Sequence, residues 1–150
     1  MHTPANPRQP GQVLAAISWV LLIAVMFGGE SLILLLTSGD PPTAQQEQFF
    51  RAGHGHAGVL AIAGILYSTS LGRTGLPARR QVVAWVAYAM AVFMVSGGMF
   101  LHAYTGEAGE RSAGVWLTAA GGVVLAGAVL YLAWHLIRAR DDAGIAEARA

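Results

Sequence analysis

Four runs of apolar residues, roughly 14–37, 51–70, 82–104 and 113–137, are separated by stretches rich in Gly, Pro and charge, namely "SGDPPTAQQEQ", "LGRTGLPARRQ" and "YTGEAGERSA". Each run is close to the ~20 residues that cross ~30 Å of hydrocarbon at ~1.5 Å per residue. The pattern predicts four membrane-spanning helices. Connections this short make successive helices alternate in direction and pack as antiparallel hairpins. The expected fold is all-α, a single up-down-up-down four-helix membrane bundle over residues 1–150 with short solvated tails at 1–13 and 138–150. The polar preamble "MHTPANPRQPGQ" precedes an apolar core longer than the ~7–15 residues of a secretory signal, and no small-residue cleavage site follows it. The first run is therefore expected to be retained.

Composition agrees with that pattern, because 55% of the residues are hydrophobic and only 11% are charged. A soluble domain carries about twice that charge. All nine basic residues are arginine, the net charge is +1, and no basic face gathers them, so nucleic acid is not an expected partner. The chain has no cysteine, which removes disulfides, thiolate metal sites and cysteine nucleophiles. Arginine placement sets an orientation. Arg8, Arg73, Arg79, Arg80, Arg138, Arg140 and Arg149 fall on one side, and Arg51 and Arg111 on the other beside Asp40, Glu47, Glu107 and Glu110. Positively charged loops stay inside, so both termini are expected in the cytoplasm, in a multi-pass protein of a bacterial-type inner membrane. Trp19, Trp85 and Trp134 then mark the inner interface and Trp116 the outer one.

The candidate chemistry lies in the outer half. "FFRAGHGHAGVLAIAGILY" puts His54 and His56 at the head of the second run, His102 closes the third, and Glu30 lies beyond the middle of the first. Ionisable residues at membrane depth cost at least ~2.5–3.5 kcal/mol when charged, so they are expected to face the bundle interior with partners. His54 and His56 are two apart and point about 160° away from each other on a helix, so one at most faces a given centre. His102 continues the stripe Ala84, Tyr88, Ala91, Val95, Gly98, which projects it towards the bundle. The bland alternatives are interfacial histidines and a hydrogen-bonded acid at a helix crossing. His135, beside Trp134 and Arg138, is expected to reach the inner interface, and His2 lies in the N-terminal tail.

Glycine pairs recur at the same level: Gly28 and Gly29, Gly97 and Gly98, Gly121 and Gly122. One reading is close helix packing, since small residues repeat at Gly53, Ala57, Ala61 and at Gly114, Thr118, Gly122, Ala126. The other is a slot for a flat cofactor with histidine axial ligands. The methionines Met26, Met90, Met94 and Met99 make copper a second choice behind haem, although scattered methionines usually fill cores.

No metalloprotease, phosphate-loop or nucleophile-elbow motif is present, and the aqueous loops are too short to carry an active site. "FRAGHGHAGVL", with a histidine closing the next helix, resembles small bacterial four-helix membrane proteins bearing GHxH pairs. It is also similar, in miniature, to the haem-binding helices of cytochrome b and haem–copper oxidase bundles. That resemblance implies one haem b near the outer surface, ligated by His54 or His56 and by His102, with a role in electron transfer or in haem sensing or delivery. The alternative is a non-catalytic accessory subunit of a larger membrane complex, or a homo-oligomer, packed through its Gly and Ala seams.

Overall fold

The computed structural model describes residues 10–147, which form four helices and no strand: α1 (Pro10–Leu36), α2 (Ala44–Leu71), α3 (Ala78–Thr105) and α4 (Ala113–Glu147). Arg8, Arg149 and His2 lie outside the described residues. Helix α1 opens on Pro10, whose missing N–H costs nothing in a first turn. Helix α2 starts two turns earlier than its apolar run because Thr43 and Gln46 form a capping box. The Gln46 N–H donates to Thr43 Oγ1 at 3.3 Å and the Thr43 N–H donates to Gln46 Oε1 at 3.0 Å. The polar residues Gln45, Gln46, Glu47 and Gln48, expected in a loop, are therefore helical, and Arg51 pairs with Glu47 one turn below at 2.6 Å. Gly75 (φ 68°) turns the chain between α2 and α3 in a conformation that other residues rarely adopt. Helix α4 continues through Glu147, so most of the segment expected as a C-terminal tail is helical.

Consecutive helices run antiparallel. A Cβ on Gly11 near the start of α1 would meet Ser68 O and Gly72 Cα at 3.0 and 3.2 Å, at the end of α2. Gly53 near the start of α2 lies against Ser96 and Phe100 near the end of α3, and Gly98 of α3 against Gly114 of α4. Each helix packs on its neighbour in sequence, while α1 and α4 do not meet among the described residues. The bundle is thus an open row with α2 and α3 in its middle.

The stripe of α3 read from the sequence is its buried face: Ala84, Tyr88, Ala91, Val95, Gly98 and His102 are all buried. On α4 the packing seam is Gly114, Thr118, Gly121, Leu125, Ala128. It replaces the expected Gly114, Thr118, Gly122, Ala126, because steps of four alone drift by ~40° each on a helix with 3.6 residues per turn. Gly122 and Ala126 are exposed. The main apolar cluster, Tyr67, Leu71, Leu76, Ala84, Tyr88 and Ala128, gathers at the end carrying the α2–α3 loop.

Helices α1, α3 and α4 (Ala113–Asp141) are long and apolar enough to cross a membrane. Helix α2, expected to span as well, is 28 residues long but polar over its first third. It is flanked by α1 and α3, so its polar residues need not all face the surroundings. Large side chains such as Phe27, Leu34, Val59, Leu66, Val123 and Leu130 are exposed along the helices. In water such a surface is costly at ~25 cal/mol per Å², whereas hydrocarbon solvates it.

Candidate functional site

The structure separates the three histidines. His54, on the third turn of α2, directs its imidazole at α1, where a Cβ on Gly29 would lie 2.8 Å from Nε2 and 2.9 Å from Cε1. The pair Gly28 and Gly29 therefore makes room for an imidazole of the chain itself. His56 is exposed on another face, with Nδ1 2.8 Å from Ala52 O of its own helix. His102 is buried in the last turn of α3. Its Nδ1 lies 2.7 Å from Ser112 Oγ, which also accepts the Gly114 N–H at 3.1 Å, and its ring meets Phe49 edge-on with centroids 4.2 Å apart. Gln45 of α2 reaches the same corner and donates to Gly106 O at 3.2 Å. His102 thus ties the starts of α2 and α4 to the end of α3.

The three histidines expected to share one iron have different neighbours. His54 serves the α1–α2 interface, His56 faces outwards, and His102 is enclosed on the α4 side. Among the described residues no three His, Asp or Glu side chains gather as a metal site.

The other glycine pairs do not open a common slot either. A Cβ on Gly98 would collide with Thr118 Oγ1, and with Gly114 O at 2.6 Å, while one on Gly114 would strike Gly98 O and His102 N. Gly121 is equally close to α3, with Met94 Cβ at 2.7 Å and Val95 N at 2.8 Å. Thr118 Oγ1 donates to Val95 O at 3.3 Å across this crossing. Gly98 and Gly121 are contact glycines of two touching backbones, the small-residue packing of membrane helices. Gly97 and Gly122 face open space. Glu30, expected inside the bundle, is exposed on α1.

An apolar groove does exist, at another place. Helices α1 and α3 both lie on α2 and meet each other only slightly, leaving a lateral cavity of about 320 Å³. At one end stand His54, Ser96 and Phe100, and at the other Ser18, Gly64 and Trp85. From His54 to Gly64 is ~15 Å along α2 at ~1.5 Å per residue. His54 has no hydrogen-bond partner among the described residues, and Ser96 Oγ is buried without one. An unmet buried hydroxyl costs ~1–3 kcal/mol, so an occupant able to bond to it gains that much. The far end is satisfied internally: Trp85 Nε1–H donates to Ser18 Oγ at 3.2 Å, and Ser18 and Ser68 share a hydrogen bond at 3.2 Å. Trp85, expected as an interfacial anchor, is turned inwards by that bond. Nearby Tyr88 donates from its hydroxyl to Leu60 O at 2.8 Å.

Of the groove residues, the sequence marks His54 and Gly28 as cofactor candidates but not Ser18 or Ser96. The available signal was polar residues on inward faces: Ser18 in α1, Ser68 in α2 and Ser96 beside the buried stripe of α3.

No known protein family matches the chain, and no curated protein or solved structure is detectably similar to it.

Proposed function

We propose that the chain is an integral membrane protein that admits a flat, lipid-soluble molecule of quinone type into the groove between α1, α2 and α3. The observation that carries this reading is Ser96 Oγ, buried without a hydrogen-bond partner, at the same end of a largely apolar groove as the half-buried imidazole of His54. A quinone offers carbonyl oxygens that accept hydrogen bonds from Ser96 O–H and from a protonated ring nitrogen of His54. Its apolar tail follows Ala57, Leu60 and Ala61 towards Trp85. The groove opens sideways, so such a molecule enters from the bilayer without crossing water. Electron transfer is the activity this ligand class supports, at the membrane face where the arginine count puts the outer leaflet. Both termini then lie on the cytoplasmic side of a bacterial-type inner membrane.

A haem b held by His54 alone is the second reading, favoured by the unbonded imidazole. It requires α1 to withdraw, because Nε2 lies against Gly29. Titration of the detergent-purified protein with a short-tailed quinone, read by quenching of Trp85 fluorescence, tests the first reading. Saturable quenching weakened about tenfold or more by Ser96→Ala or His54→Phe supports it, because such a change corresponds to ~1.4 kcal/mol per lost contact. Quenching that is unsaturable, or indifferent to both substitutions, removes it. A haem spectrum in protein from a haem-sufficient host, lost in His54→Phe and kept in His102→Ala, selects the second.

A further inference from the structure

At the end carrying the α2–α3 loop, Tyr67 of α2 holds α3 and α4 apart. Its hydroxyl donates to Ala128 O at 3.1 Å and lies 3.4 Å from Ala84 O. The two helices touch backbone to backbone at Gly98 and Gly114, so this wedge leaves a second cavity, of about 780 Å³, separate from the His54 groove. Val83, Ala84 and Ala87 form one wall and Val124, Gly127 and Ala128 the other. Arg79 and Arg80, in the first turn of α3, stand at its mouth. Both guanidinium groups are exposed, and the one ion pair among the described residues, Arg51 with Glu47, is at the opposite end of the molecule.

We propose that this cavity binds an anionic phospholipid, with one acyl chain along the Val83–Ala87 wall and the phosphate between Arg79 and Arg80. From Arg80 to Ala87 is ~10 Å of helix, a length matched by part of a single acyl chain. Charge decides the headgroup: two exposed guanidinium groups, neither in an ion pair among the described residues, favour a lipid with net negative charge over a zwitterionic one. Free phosphate gains nothing from the apolar walls. An extended peptide would bury its backbone groups against walls that offer no partners. The inference rests on the membrane placement proposed above and is independent of what occupies the His54 groove.

The full chain, in detergent with equimolar phosphatidylglycerol and phosphatidylcholine of identical acyl chains, is to be examined by native mass spectrometry. Wild type is expected to retain phosphatidylglycerol over phosphatidylcholine by on the order of tenfold or more. The double variant Arg79→Gln/Arg80→Gln brings that ratio near one while leaving phosphatidylcholine retention unchanged. Gly127→Leu, whose Cβ enters open space, fills the cavity and lowers retention of both lipids. An unchanged ratio in the arginine variant overturns the proposal. So does displacement of phosphatidylglycerol by millimolar inorganic phosphate, which makes the site a plain anion site, or a dimer that excludes lipid. Flotation with phosphatidylcholine vesicles is the separate check on the membrane placement: a chain that does not float fails that reading and this one together, whereas a floating chain with no headgroup preference fails this one alone.

Discussion

The imidazole of His54 occupies the space that a side chain on Gly29 would fill, and this one relationship links α1, α2 and the groove. It explains a glycine in the middle of an apolar helix, where glycine is disfavoured by ~1 kcal/mol relative to alanine.

The first prediction follows from the kind of atom that a new Cβ would meet. Gly29→Ala would place a methyl 2.8 Å from Nε2, but the ring is the end of a side chain and can rotate away. The variant is expected to fold, with a thermal stability within about 1 kcal/mol of wild type, and to lose most of the His54 contribution to quinone quenching. Quenching identical to wild type would mean that the ring's position does not matter to the groove.

At Gly98 the obstacle is backbone and cannot rotate. Gly98→Ala is expected to force α3 and α4 apart and to destabilise the protein by about 1–3 kcal/mol or more, as overpacking does. Gly97→Ala, one residue away and facing open space, is expected to be neutral or to stabilise by up to ~1 kcal/mol through helix propensity. Thermal unfolding of the two variants in the same detergent gives the comparison, and equal midpoints would refute the backbone contact.

His102 ties the end of α3 to Ser112 and Phe49. His102→Ala removes the Ser112 bond and the Phe49 contact, and is expected to cost about 2–4 kcal/mol as a buried side chain with a hydrogen bond. His102→Gln is expected to recover part of that loss. Neither variant is expected to shift the midpoint of quinone quenching in the fraction that remains folded. A tenfold shift there would return His102 to the binding site.

What the sequence disclosed depended on whether a feature is local. Hydropathy located all four helices, and the alternation of three and four steps identified the buried face of α3 from Ala84 to His102, because burial repeats along one helix. The start of α2 was also local, but its signal is the Thr43–Gln46 capping box, which hydropathy does not register. Short connections also indicated that successive helices pack together, but which side chains meet across them was not readable. Nothing in "AGHGHAG" says that His54 turns towards Gly29 while His102, two helix ends away in the expected sandwich, turns towards Ser112. Glycines look alike whether they admit a neighbouring backbone, as Gly98 does, a side chain, as Gly29 does, or nothing, as Gly122 does. Those differences reside in the helix that lies opposite.

Glu30 gives the last prediction, and it divides the two ways a carboxylate can sit on an apolar helix. From the sequence it is expected to face the bundle interior with a partner. In the structure it is exposed on α1, next to Gly29 but turned away from the groove, and it is not among the groove residues. On a face that lipid covers, removing it relieves the ~2.5–3.5 kcal/mol attached to a charged carboxylate in hydrocarbon. Glu30→Leu is therefore expected to raise thermal stability in nanodiscs and to leave quinone quenching within twofold of wild type. Lost stability in Glu30→Leu, restored by Glu30→Gln, would show instead that the residue hydrogen-bonds across an interface with another protein, as the accessory-subunit reading requires. A quenching change of tenfold would put the carboxylate back into the site with His54.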